Sequence, residues 1–325
     1  MLEQSPEAPA DVGTREPARP LSGQVDLEAL LDEEEGASEA GYQAKKLGLF
    51  FWASVVWLVA LILASIFADL LPLKDPDATF RGTSRQGPSA EHWFGNDNIG
   101  KDVFSRTIYG ARKSLGISFT ASFIGFVCGG TIGLLAGYYR RRIEGILTGA
   151  IDILLAFPAL ILALILALFL GQTDIPVLEQ IAGTPTKALI VALGILSIPT
   201  IARITRAGVL VNTEREYVLA ARTLGARDLR IMIREVLPNV LPSMLAFSLI
   251  GVSFLIIVEA ALAFLGVGDL TTASWGVMIN FGRDRLKEAP HAVFFPALFM
   301  FLTVLSVNVV GDRLRQYYDV RESAL

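Results

Sequence analysis

"NTEREYVLAARTLGARDLRIMIREVLP", Asn212 to Pro238, lies between two strongly apolar stretches and is dense in charge. Thr213 and Glu216 have the spacing of a capping box that would start a helix at Glu214. Gly225 supplies a C-terminal stop with a left-handed backbone. Beyond it Leu229, Met232, Ile233, Val236 and Leu237 recur at helical spacing, while Arg227, Arg230 and Arg234 fall on another face. The second half therefore reads as an amphipathic helix against something apolar, ended by Pro238. In the first half Ala220 and Ala221, next to Tyr217 and Leu224, make a small flat patch suited either to a groove on a partner or to the membrane surface.

The rest of the chain says which solvent surrounds this segment. With 53% hydrophobic and 18% charged residues and a mean hydropathy of +0.52, 325 residues are too apolar for a soluble domain. A helix needs roughly 20 apolar residues to cross ~30 Å of hydrocarbon. Segments 47–71, 115–138, 146–170, 188–210, 243–265 and 293–311 meet or approach that length, which predicts an all-α membrane protein with six transmembrane helices. The fourth is shortest, about 15 apolar residues before Arg203, with Pro199 as a candidate kink.

Basic residues crowd one side: Lys45 and Lys46, Arg140 to Arg142, the arginines from Arg203 to Arg234, then Arg313 and Arg315. Both termini and the 212–238 loop are thus expected in the cytoplasm. Residues 1–45, acidic and nearly free of aromatics, read as a disordered tail that accounts for the net charge of -4. The first span follows over 46–72, an extracytoplasmic loop over 73–111, the transmembrane core over 112–311 and a cytoplasmic tail over 312–325.

Few residues invite chemistry. Cys128 is single, His92 and His291 stand apart without a ligand pattern, and no metal is expected. Cys128 reads as a small residue at a helix contact. "GNDNIGKD", Gly95 to Asp102, has the glycine and lysine spacing of a phosphate loop, but Asp102 replaces the hydroxyl that would hold magnesium. It reads as an outer structural turn, leaving the chain without a nucleotide engine or bound cofactor. Nothing points to nucleic acid.

Ala220, Ala221, Gly225, Leu237 and Pro238 resemble the cytoplasmic loop of permease subunits of binding-protein-dependent ATP-binding cassette importers. Leu219 stands where that family's loop has glutamate, and Glu216 lies one turn earlier on nearly the same face. "FGNDNIGKDVFSRTIYGAR" from Phe94, "IDILLAFPA" from Ile151, "EAALAFLGVG" from Glu259, "SWGVM" from Ser274 and "FLTVLSVNVVGD" from Phe301 are similar to the second permease of the dipeptide and oligopeptide branch. This resemblance runs from about His92 to the C-terminus.

It implies a multi-pass subunit of the bacterial inner membrane that forms half of a translocation path by alternating access. The implied partners are a homologous permease, two ATPase subunits carrying ATP and magnesium, and an extracytoplasmic solute-binding protein. The implied coupling residues are Glu216, Leu219, Ala220, Ala221, Gly225, Leu237 and Pro238. Dipeptides or oligopeptides are the implied cargo, with nickel complexes or another small solute as the alternative. A self-contained carrier using Asp152 and Glu259 as a proton relay is the competing class, and no inverted repeat supports it.

Ionisable groups within spans are functional candidates by default. Asp152 is expected in an ion pair with an arginine near the cytoplasmic end of the third span. Glu259 is expected near the outer end of the fifth, facing a cavity or hydrogen-bonding a neighbouring helix. Asn308 is expected to join helices in the sixth.

Overall fold

The computed structural model describes residues 48–172 and 175–323. The acidic tail expected over 1–45 lies outside them. The described residues form helices without strands: α1 Leu49–Ile66, α2 Val103–Tyr138, α3 Arg142–Leu155, α4 Ala159–Gly171, α5 Pro176–Ala182, α6 Pro185–Asn212, α7 Glu216–Thr223, α8 Asp228–Ile231, α9 Leu237–Phe264, α10 Trp275–Arg283 and α11 His291–Ser323. Five are long and apolar enough to cross a membrane, counting α8 to α9 as one, and a sixth crossing requires the bent pair α3 and α4.

That pair corrects the third span, expected as one helix over 146–170. Its halves meet at 94°. Pro158 cannot donate to the preceding turn, and its ring drives Phe157 out of helical geometry, so α3 must end and α4 start afresh. The fourth span, in contrast, is an unbroken 28-residue helix, α6, which is ~42 Å long at 1.5 Å per residue. Pro199 is buried inside it. The sixth span continues as α11 to Ser323, so most of the segment expected as a tail over 312–325 is helical.

Hydrocarbon offers helices no hydrophobic drive to associate, so contact depends on close packing. On α2, Gly125, Gly129, Gly133 and Gly137 recur every four residues and face α6. A Cβ on Gly129 would lie 2.7 Å from Ile198 O, and one on Gly133 would lie 2.4 Å from Ala202 O. Only glycine lets the backbones approach this far. Cys128, beside the stripe, is exposed, which corrects its reading as a helix-contact residue. A second core joins α1, α2, α9 and α11 around the fully buried Trp275, whose Nε1 donates to Thr107 O at 3.0 Å.

At the end of the bundle where α2 begins and α9 ends, residues 72–102 form a hydrogen-bonded cap. Asn96 N donates to Gln86 O at 2.9 Å and Phe80 N to Gly100 O at 3.0 Å. Asp102 is the N-cap of α2, accepting from Ser105 N at 2.8 Å, and its other oxygen lies 2.7 Å from His92 Nδ1. The carboxylate that spoils the phosphate-loop pattern is a helix cap.

Candidate functional site: the loop between α6 and α9

The opposite end of the bundle carries the opening segment. Helix α6 runs on through Asn212, and Thr213 closes it, its hydroxyl donating to Leu210 O at 3.0 Å. The expected capping box is therefore absent: Thr213 belongs to the preceding helix, and α7 starts at Glu216 behind Arg215, without a side-chain cap. Glu214 instead pairs with Arg140 at 2.6 Å.

The stop at Gly225 has the φ of +81° that glycine adopts without penalty. Gly225 N donates to Arg222 O at 2.9 Å and Ala226 N to Ala221 O at 3.0 Å, the paired bonds of a Schellman motif. Past it the chain forms α8 and then a wide π turn, Met232–Val236, that runs directly into α9. Pro238 sits in the first turn of α9 directly after the π turn, where the hydrogen-bond ladder is already widened, so it stands inside a continuous helical run instead of ending one.

The π turn also corrects the amphipathic face. A turn that closes at i+5 displaces the inward set, which becomes Ile231, Met232, Val236 and Val240, all buried, while Leu229 and Ile233 point outward. Ile231 escaped a reading based on a regular 3.6-residue repeat.

These buried residues, with Tyr138, Val209, Val218 and Met244, form one apolar cluster under α7. Val218 is the inward anchor of α7 at 0% exposure. The patch of Ala220 and Ala221 in the sequence does not include it, although it lies one turn before Ala221. Polar ties complete the platform: Tyr138 Oη donates to Asp228 Oδ1 at 2.7 Å, Tyr217 Oη to Asn212 Oδ1 at 2.7 Å, and Asn239 Nδ2 to Tyr217 Oη at 3.2 Å.

The expected coupling residues divide between two faces. Ala221 and Leu237 are half-buried against the cluster. Glu216, Leu219, Ala220, Gly225 and Pro238 are exposed, and Leu224 is 87% exposed. The outward surface is thus a small apolar ledge, Leu219, Ala220 and Leu224, held rigidly at the end of three long helices.

The span residues lie elsewhere. Asp152 on α3 pairs with Arg203 on α6 at 2.8 Å, and Glu144 pairs with Arg206 one helical turn further along α6. Asn308 accepts from Ser253 Oγ at 3.0 Å, joining α11 to α9. Glu259 is 1% exposed and accepts from Ser114 Oγ at 3.1 Å, and that oxygen also receives Trp275 N at 3.3 Å. The carboxyl borders a cavity of only about 10 Å³ and joins α9 to α2 and the start of α10.

Residues 129–323 match the family described as binding-protein-dependent transport system inner membrane component. The chain is 36% identical over 282 residues to the dipeptide transport system permease protein of Alkalihalophilus pseudofirmus, covering 86% of this chain and 88% of that one. It is 36% identical over 269 residues to the glutathione transport system permease protein of Pectobacterium atrosepticum, covering 82% and 85%. The fold is similar to a chain of the inward-facing MetNI methionine ABC transporter, with a TM-score of 0.54 and 21% identity over 66% of this chain and 96% of that one. Buried glycine packing, apolar spans and the matched residues lead to one conclusion: this chain belongs to the inner-membrane permease family of binding-protein-dependent transport systems.

Proposed function

We propose that the chain is one of two homologous permeases of a bacterial peptide importer, and that α7 couples it to a separate cassette ATPase. The observation that carries this reading is the Leu219, Ala220 and Leu224 ledge, exposed on a short helix whose other face is locked into the ends of α2, α6 and α9. A rigid ledge passes a push to those helices. A loosely attached surface helix would absorb it.

In this reading both termini are cytoplasmic, with Arg140, Arg141 and Arg142 on the same side as α7. ATP and magnesium reside on two cassette subunits, and an extracytoplasmic binding protein delivers cargo to the far end. The chain does no bond chemistry. Short peptides are the cargo, in keeping with relatives named for dipeptide and glutathione transport. Glu144, Asp152, Glu259 and Asn308 all have protein partners, which suits structural roles better than a proton relay.

Purification of the chain from its native membrane tests the assignment. A cassette ATPase and a second permease should accompany it, and the reconstituted complex should accumulate labelled dipeptide only with ATP and the binding protein. Transport by the chain alone, driven by a proton gradient, would overturn it.

A further inference from the structure

A pocket of about 270 Å³ opens at the end of the bundle opposite α7, between the 95–102 turn, the first turns of α2 and helix α10. It lies outside everything assigned above. Its walls are firmly held: Asn98 Nδ2 donates to Phe281 O at 2.7 Å, and His291 Nε2 lies 2.9 Å from Asn96 O.

One side is apolar, built from Ile99, Leu270, Met278 and Phe281. The other carries Asp97, Lys101 and Arg106. Arg106 is 6% exposed, and its charge is incompletely matched: Nη1 donates to Pro76 O at 3.0 Å and lies 3.5 Å from Asp77, while Nε is 3.9 Å from Asp97 Oδ2 and has no hydrogen-bond partner. Lys101 is held by Asp77 at 2.9 Å. One oxygen of Asp97 caps the turn through Ile99 N and Lys101 N.

We infer that this pocket binds a small zwitterion with one apolar side chain, an amino acid or dipeptide, its carboxylate towards Arg106 and Lys101 and its ammonium towards Asp97. Asp77 and Asp97 balance Lys101 and Arg106, so a ligand with net charge would leave an unbalanced charge beside the buried Arg106. A neutral ligand with separated charges avoids that cost, and the apolar wall accepts its side chain. The volume lies just under the roughly 300–1,000 Å³ usual for small-molecule sites, which limits the ligand to about this size. The inference rests on the peptide-importer reading, because it makes the pocket a first station for cargo at the outer mouth.

The test uses the complete transport complex in nanodiscs without binding protein, with saturation-transfer NMR reading ligand binding. Alanyl-leucine should bind saturably, and N-acetyl-alanyl-leucine and alanyl-leucinamide, each lacking one charge, should bind at least about tenfold more weakly. Ile99→Trp, at a position 57% exposed, fills the pocket and should abolish binding. Asp97→Asn keeps the oxygen that caps the turn but removes the charge, so it should weaken alanyl-leucine and narrow its advantage over the acetylated form. This second variant decides the matter if the tryptophan disturbs assembly.

Equal binding of all three ligands, no saturable binding to the wild type, or binding unchanged in Asp97→Asn would overturn the inference. The last outcome would mean that the dipeptide binds away from Asp97. Uptake with binding protein present is measured in parallel, so failure of the pocket is distinguishable from failure of the importer assignment.

Discussion

Asp152 on α3 and Arg203 on α6 stand 2.8 Å apart, both more than half exposed, and with Glu144 and Arg206 they fasten α3 to α6. An ion pair that keeps contact with water contributes about 1 kcal/mol at most. Asp152→Asn should therefore shift the melting temperature of the detergent-solubilised complex only slightly, and the exchange of both residues, Asp152→Arg with Arg203→Asp, should restore it. Unfolding on the single substitution would show that this pair does more than hold α3 in place.

The glycine stripe of α2 should tolerate nothing larger. Gly133→Ala would place a methyl group 2.4 Å from Ala202 O, and backbone can yield only by separating the helices, at a cost of about 1–3 kcal/mol. Gly145, on α3 with open space around it, is the control: alanine there should be neutral or stabilise by about 0.4–1 kcal/mol. Thermal melts of both variants check the contrast.

Asp269, in the turn between α9 and α10, accepts from Lys113 Nζ at 2.9 Å and from the hydroxyls of Thr271 and Thr272 at 2.5 and 2.9 Å. Burial pushes its pKa upward, but these hydrogen bonds outweigh it and hold the carboxyl well below the usual range. A depressed pKa gives stability that is complete above the unfolded value of about 3.9 and is lost only as pH falls through the lower folded value. The stability gap between wild type and Asp269→Asn should hence stay constant from pH 7 to about 5 and shrink below about 4. A gap that closed near neutrality would contradict this.

Gly225 faces open space, so any penalty at this site comes from its backbone at φ +81°. Valine should cost about 1 kcal/mol or more, and asparagine, which tolerates the left-handed region, less. We expect Gly225→Val to assemble with its partners but to lose peptide-stimulated ATP hydrolysis, and Gly225→Asn to keep most of it. Proteoliposome ATPase assays rank the two.

Deletion of residues 1–41 should leave insertion, assembly and uptake intact, because their composition cannot bury a core. Loss of uptake in an intact complex would assign the tail a regulatory role.

Much of the fold was legible because hydrocarbon imposes length: five runs of apolar residues became long helices. The break at Phe157 and Pro158 was also in plain view, and the rule for residues preceding proline foretells it. The glycine stripe recurs every four residues, a pattern that needs only a search for small residues. The start of α7 is ambiguous in the sequence because Thr213 can cap one helix or close another, and only the continuation of α6 decides which. The π turn leaves no mark in a 3.6-residue pattern, which therefore puts Leu229 and Ile233 on the wrong face. The pocket by Arg106 draws on residues from 97 to 292, a juxtaposition that local spacing does not carry.

The coupling claim is tested most directly at Ala220, which is exposed on the outward ledge, whereas Ala221 is half-buried in the chain's own core. Ala220→Asp places a charge in any apolar cleft that receives α7, costing roughly 1–3 kcal/mol or more if buried there. In proteoliposomes containing the permease pair, the ATPase subunits and the binding protein, we expect Ala220→Asp to leave membrane insertion and binding-protein docking unchanged while abolishing peptide-stimulated ATP hydrolysis and uptake. Wild-type hydrolysis and uptake in this variant would mean that the ledge touches no ATPase and that α7 is only a surface helix.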